Sequence, residues 1–312
     1  MAYKESQYKK VENLLKNSNV FYGDKGNGLF KKKNYPFILE NNLNNIYEPI
    51  REEVLEYFKQ NNVAWWGGKL TNHPLSSQVA CLNHLFPIRN DKESVLSIVK
   101  QVCPDIVDVL PIATDKYLPA YIQFESVSDV DHLNEQNTTR GANCTSLDAL
   151  ILGIDKNNKR ILFPIEWKYV EAYGNEDKGL NQTRRNRYDI LIDQSIQLKP
   201  NENNQIYYYE PFYQLMRQTL WAEQMVNNIN TETIKADDYI HLHIIPSSNN
   251  DLLNKKYSIS GKGMEETWRE CLVDNTKYII IEPKQILSKI DEEKYNSLLK
   301  YLNDRYWRST IV

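Results

Sequence analysis

The sequence predicts a mixed α/β (α+β) fold in which a helix, three strands, a second helix and a further strand follow one another, forming a mixed sheet flanked by helices. Three observations predict it. Apolar residues recur at helical spacing over 76–102 and again after Pro211; between these stretches lie three short apolar or alternating runs; and the second and third runs are joined by a polar turn of hairpin length at 155–159.

Residues 1 to about 60 read as helical segments around a Gly- and Asn-containing loop, with Ile50, Val54, Leu55 and Phe58 at helical spacing. Trp65-Trp66-Gly67-Gly68 then breaks the pattern with a turn. This divides the chain into an N-terminal helical extension (1–68), a core (69–250), and a C-terminal strand and helix packed on that core (251–312). The core opens with a helix capped by Ser76 or Ser77, which turns Val79, Leu82 and Leu85 inward and stops at Pro87. A second helix runs from Asp91 to about Val102 through Val95, Ile98 and Val99.

The period then changes to that of strands at 118–127, 146–155 and 160–171, the last two pairing antiparallel through their turn. Residues 172–206 read as a long polar excursion. Pro211 begins a helix carrying Leu215, Leu220 and Met225, strands follow at 238–246 and 277–283, and an amphipathic helix closes the chain near Leu302.

Composition narrows the function classes. The 312 residues are 41% hydrophobic, and no apolar run approaches the roughly 20 residues of a membrane span. The charged first residues do not resemble a secretory signal, so a cytoplasmic location is expected. Cys81, Cys103, Cys144 and Cys271 lie far apart without CxxC pairing and read as buried thiols. A net charge of −3 excludes coating of nucleic acid by bulk attraction, so any such contact must be local. The local clusters are Lys31, Lys32 and Lys33, and Lys178 with Arg184, Arg185 and Arg187. Solvated faces are the plain alternative for both.

Ionised residues inside apolar strands need a reason, because burying one unpaired costs several kcal/mol by order of magnitude. Asp148 interrupts SLDALILG, and Glu166 and Lys168 interrupt LFPIEWKYV. Strand alternation puts Glu166 and Lys168 on one face with Trp167 opposite, and the hairpin brings Asp148 to them. Two hard carboxylates and an ammonium suit metal-assisted phosphodiester hydrolysis. Other E-x-K pairs, at Glu176, Glu282 and Glu292, lack this strand context. The structural alternative for the trio is a cross-strand salt bridge at a sheet edge.

Asp148 followed by Glu166-Trp167-Lys168 resembles the D…(D/E)xK signature of the PD-(D/E)XK nuclease superfamily. The wider phrase TSLDALILG…LFPIEWKYVEAYG…FYQLMRQTLWA resembles a bacterial family of putative restriction endonucleases, over about residues 76–248. The resemblance implies a restriction-endonuclease-like core and Mg²⁺-dependent cleavage of DNA, with Mn²⁺ able to substitute, in restriction or defence. It makes Asp148 and Glu166 metal ligands and Lys168 the water-positioning residue, with Gln214 and Gln218 on the glutamine-bearing helix. Ser146-Leu147 precede Asp148 where the signature has proline, and the first core helix offers Gln78 instead of an acid, which leaves Glu125 as the candidate third carboxylate.

Lys178, Arg184, Arg185 and Arg187 would grip phosphates if the excursion borders the site. His241 and His243 share a strand face but lack a third donor, and read as satisfied core residues. Trp65 and Trp66 suit base stacking, or anchoring of the extension. An exonuclease or repair-type nuclease, an RNA-directed enzyme of the same fold and a non-catalytic nucleic-acid-binding module remain alternatives. For a double-strand cutter a homodimer is the expected arrangement.

Overall fold

The structure, a computed structural model, describes residues 2–65, 67–115, 118–137 and 144–308. Its centre is a seven-stranded mixed sheet of β1 (Ile106–Leu110), β2 (Ile122–Ser126), β3 (Leu147–Asp155), β4 (Arg160–Trp167), β5 (Asp238–Tyr239), β6 (His241–Ile244) and β7 (Tyr278–Ile281). The main order is β7-β6-β4-β3-β1, with β2 also on β3 and β5 on β4. β2 and β4 each run antiparallel to β3, while β4, β6 and β7 run parallel. This is the mixed sheet flanked by helices that the order of periodicities predicts.

Two expectations need correction. The first strand is not one run over 118–127: Leu118–Ala120 pairs with Ala113–Asp115 in a separate hairpin, and only Ile122–Ser126 joins the main sheet. The edge of β3 is completed instead by β1, which pairs with its distal half (Ile106↔Asp155, Leu110↔Leu152), while β2 takes the proximal half (Ile122↔Ile151, Ser126↔Leu147). Second, the excursion at 172–206 contains a 13-residue helix, α5 (Gln182–Gln194). Only Tyr188 and Ile192 of it are buried, so it has no apolar stripe for a periodicity to detect.

Other helices include α1 (Tyr3–Asn17), α2 (Arg51–Gln60), α3 (Ser77–Leu85), α4 (Lys92–Val102), α6 (Phe212–Asn227) and, near the end of the chain, α7 (Asn296–Leu302). Strand alternation divides the core into two layers. Ile161, Phe163, Ile165 and Trp167 of β4 pack with α1–α4, whereas Leu162 packs with Tyr188, Leu215 and Trp221 on the other side. Val11 and Leu15 of α1 and Leu298 and Leu302 of α7 share the first layer with the sheet. Trp65 stacks on Phe58 with centroids 3.8 Å apart, an anchor for its segment; Trp66 lies outside the described residues. Leu55 faces outward.

Ser76 is the N-cap of α3, its side chain accepting from Val79 N at 3.3 Å. Ser76→Ala is expected to lower stability by about 1 kcal/mol, read by chemical denaturation. Cys81 and Cys271 are buried thiols, but Cys103 and Cys144 are only part-buried. Among the described residues no helix is long and apolar enough to cross a membrane.

Candidate active site

The register lines up one row of residues across the sheet. The pairs Phe124↔Ala149 and Ser126↔Leu147 set Glu125 opposite Asp148. The pair Ala149↔Ile165 sets Asp148 beside Glu166, and Glu166 pairs in turn with His243. β4 lies between β3 and β6, so the row crosses the middle of the sheet and is not the edge salt bridge considered from the sequence.

Each member of the trio is held by named partners. Asp148 Oδ2 accepts from Trp167 N–H at 2.7 Å, which ties the first carboxylate to the strand carrying the other two groups. Lys168 Nζ donates to Glu166 Oε1 and, at 2.6 Å, to Gln214 Oε1. Gln218 Nε2 donates to Glu166 Oε2. Gln214 and Gln218 are one helical turn apart on α6, so one face of one helix grips both the acid and the base. Lys168 lies just beyond the end of β4, where its backbone N–H still bonds Ile244 O at 2.9 Å, keeping it in line with the sheet.

Glu125 adopts a left-handed φ of +51°, unusual for a residue with a side chain and costing on the order of 1–3 kcal/mol. Its carboxylate accepts from Gln78 Nε2 at 2.6 Å. The residue replacing an acid on the first core helix therefore holds the acid supplied by the strand.

The electrostatics follow from this crowding. Burial pushes the Asp148 carboxyl well above the ordinary range, and the Glu166 and Glu125 charges push further; Lys168 and the Trp167 N–H oppose them without prevailing. Burial also works against the Lys168 charge, but Glu166, Tyr173 and Glu171 outweigh it and hold the ammonium well above its usual value. The row carries more negative than positive charge in a desolvated place, which is the condition a cation relieves.

The donor set fits Mg²⁺, which takes one or two carboxylates and retains waters. Among the described residues no group of three His, Cys, Asp or Glu side chains is gathered as a metal cage, so the fit rests on two carboxylates. Asp148 Oδ1 receives no hydrogen bond among the described residues, and Gln218 Oε1 is buried without a partner.

The basic cluster is divided. Lys178 pairs with Glu176 at 2.6 Å, and Arg185 bonds Gly179 O at 2.9 Å and lies 3.8 Å from Asp189, so both serve their own segment. Arg184 lies over the Tyr213 ring at 5.4 Å, next in sequence to Gln214, which places α5 beside the glutamine helix. Arg187 is on the same helix, its carbonyl accepting from Asn134. Part-buried Glu210 is held above the ordinary carboxylate range by desolvation, against the opposing charges of Lys168, Lys178 and Arg217.

Sequence reasoning missed Tyr173, whose hydroxyl donates to Gln214 Oε1 at 3.3 Å and whose ring lies 5.5 Å from Lys168 Nζ. A loop tyrosine in a chain with 21 tyrosines carries no signal. His241 and His243 are buried, but only in part satisfied: His243 Nδ1 meets Tyr278 OH at 2.7 Å, while neither ring nitrogen of His241 has a hydrogen-bond partner among the described residues. Burial, with Lys168 nearby, brings His241 down to about 3, so it is neutral and adds no charge behind the row.

Residues 5–307 match the model of a protein family described as restriction endonuclease associating with ARP. No curated protein and no solved structure is significantly similar to the chain.

Proposed function

The chain belongs to the family of restriction endonucleases associating with ARP, and on that premise we propose that the Asp148–Glu166–Lys168 row is the catalytic centre of a Mg²⁺-dependent deoxyribonuclease of the PD-(D/E)XK type, cutting phosphodiester bonds within DNA in restriction or defence. The observation that carries this reading is the convergence of a part-buried carboxylate, Asp148, with the buried carboxylate of Glu166 and the buried ammonium of Lys168, the last two held by two glutamines of one helix.

Asp148 and Glu166 would hold the metal, with Glu125 as a neighbouring third carboxylate. Bound there, Mg²⁺ supplies a lowered pKa for water and neutralises charge developing on the phosphate. Lys168, kept protonated by its partners, donates to the attacking water or to a phosphate oxygen as negative charge grows, so no covalent intermediate is needed. Gln214 and Tyr173 fix the direction of that ammonium, and Gln218 orients Glu166. Arg184 and Arg187, with Lys178 and Arg185 behind them, supply phosphate contacts from α5 and the turn before it. Cutting both strands of a duplex needs two such sites, which a symmetric pair of chains would supply.

Supercoiled and linear DNA should be cut by the purified chain with Mg²⁺ or Mn²⁺ and left intact in EDTA, and internal nicking of a closed circle separates endonuclease from exonuclease action. A wild type that neither cuts DNA nor binds Mn²⁺ would overturn the reading. Gln214→Ala, which leaves Lys168 one partner short, should slow cleavage by roughly 10–100-fold, the worth of one hydrogen bond to a charged group. Arg184→Ala and Arg187→Ala should each weaken DNA binding for all sequences alike and reduce the salt slope by about 1, seen in salt titrations of affinity.

A further inference from the structure

Behind the catalytic row, on the face of the sheet occupied by Trp167, a cavity of about 460 Å³ opens between α1, α3, the ends of β4 and β6, and the C-terminal segment. Its volume lies within the roughly 300–1,000 Å³ of small-molecule sites. The wall is aromatic and continuous: His84 packs 4.6 Å from Trp167, 4.7 Å from Tyr306 and 5.8 Å from Trp307, measured between ring centroids. His84 has both nitrogens engaged, with Ala80 O at 2.7 Å and Trp307 Nε1 at 3.1 Å, and burial brings it down to about 3. The wall is therefore neutral, its rings inclined to the imidazole by 48–52°.

Charge enters the cavity at one end. Lys10 is only 6% exposed, yet among the described residues its ammonium makes a single hydrogen bond, to Tyr306 O at 2.9 Å, and no carboxylate pairs with it. Burial, together with the nearby Arg305 charge, lowers it to about 8. A desolvated ammonium with donors to spare is suited to receive an anion. Lys9 and Arg308 line the same cavity.

The other end is acidic. Asp251 accepts from Tyr3 N at 2.6 Å, and Glu282 lies in the same lining. Tyr3 and Lys10 stand two turns apart on α1, about 10 Å along its axis at the helical rise. A ligand matched to this arrangement has an anionic group at one end, a planar ring in the middle and hydrogen-bond donors at the other end.

We propose that the cavity is a binding site for one nucleotide, its phosphate against Lys10, its base against the part-exposed rings of Tyr306 and Trp307, which His84 backs, and its amino edge toward Asp251 and Glu282. The site is independent of the nuclease reading, because it lies on the opposite sheet face from Glu166 and Lys168 and shares none of their side chains. Trp167 nevertheless joins the two, its ring in the cavity and its N–H on Asp148.

Titration of the full chain with AMP, followed by calorimetry and by quenching of tryptophan fluorescence, tests the proposal. AMP should bind saturably and about tenfold or more tighter than inorganic phosphate or adenosine alone, since each control fills only half the site. Lys10→Met should weaken AMP by about tenfold, equivalent to ~1.4 kcal/mol, with an unchanged melting temperature. Arg308→Ala, at an exposed position that folding does not need, should weaken it several-fold. A 5′-phosphorylated oligonucleotide identifies the source: competition with AMP points to a nucleotide at a DNA end, and no competition to a free nucleotide. The proposal is overturned by absence of saturable AMP binding at millimolar concentration, by AMP binding that Lys10→Met leaves unchanged, by phosphate binding as tightly as AMP, or by binding seen only after residues 309–312 are deleted.

Discussion

Lys168→Met is expected to abolish metal-dependent cleavage of DNA, lowering kcat on the order of 10²–10³-fold, the cost of removing one charged donor from a preorganised site. The substitution keeps the length of the side chain and removes its charge and its bonds to Glu166 and Gln214. Asp148→Asn should be equally inactive for a different reason, the loss of a hard ligand, and Mn²⁺ titration separates the two: Lys168→Met retains metal binding, whereas Asp148→Asn loses it. Both proteins should show unchanged far-UV circular dichroism. Wild-type rates in both variants would remove the row from the chemistry.

Glu135→Ala is expected to be the most destabilising single substitution near the site, by about 3–5 kcal/mol, because it removes a buried carboxylate on which Thr145, Tyr188 and the part-buried guanidinium of Arg217 all converge. Glu135 is 3% exposed and accepts from Thr145 N at 2.5 Å, Thr145 Oγ1 at 2.7 Å, Tyr188 OH at 2.6 Å, and Arg217 Nη2 at 2.9 Å. One carboxylate thus joins α5, α6 and the approach to β3, three residues before Asp148. Denaturant unfolding reads the loss. Glu135→Gln, which keeps the shape and an acceptor but not the charge, should cost less than half as much; equal effects of the two would mean that the charge alone matters there. Activity should fall with Glu135→Ala even at temperatures where the protein remains folded, since the start of β3 loses its anchor.

Much of the candidate site was legible because its residues break rules. An aspartate, a glutamate and a lysine within apolar strand runs stand out against the cost of burying them, and strand alternation with a hairpin turn is enough to bring Asp148, Glu166 and Lys168 together. The glutamines were legible only through resemblance, since an amide in a mixed helix face has no signature of its own; contact with Lys168 and Glu166 supplies the reason for them.

Other features were not legible, for identifiable reasons. The run at 118–127 alternates throughout, but pairing depends on partners distant in sequence, and these divide it between two sheets. Helix α5 hid because its stability comes from packing by Tyr188 and Ile192 and from side-chain bonds to neighbouring segments, not from an apolar stripe. Lys10 read as one charge in a polar helix, and only the fold removes it from water without giving it a carboxylate.

The sequence by itself determined the fold class, the central order of helix, strands, helix and strand, and the trio of ionised residues, because periodicity and the penalty for buried charge are local properties of the chain. Tertiary structure decided the rest: that Glu125, Asp148, Glu166 and His243 form one row, that α6 clamps it, that the arginines divide between structure and surface, and that an aromatic cavity with a buried ammonium lies behind Trp167. Those depend on strand register and on which surfaces meet, and register is a relation between distant segments that no single stretch of sequence contains.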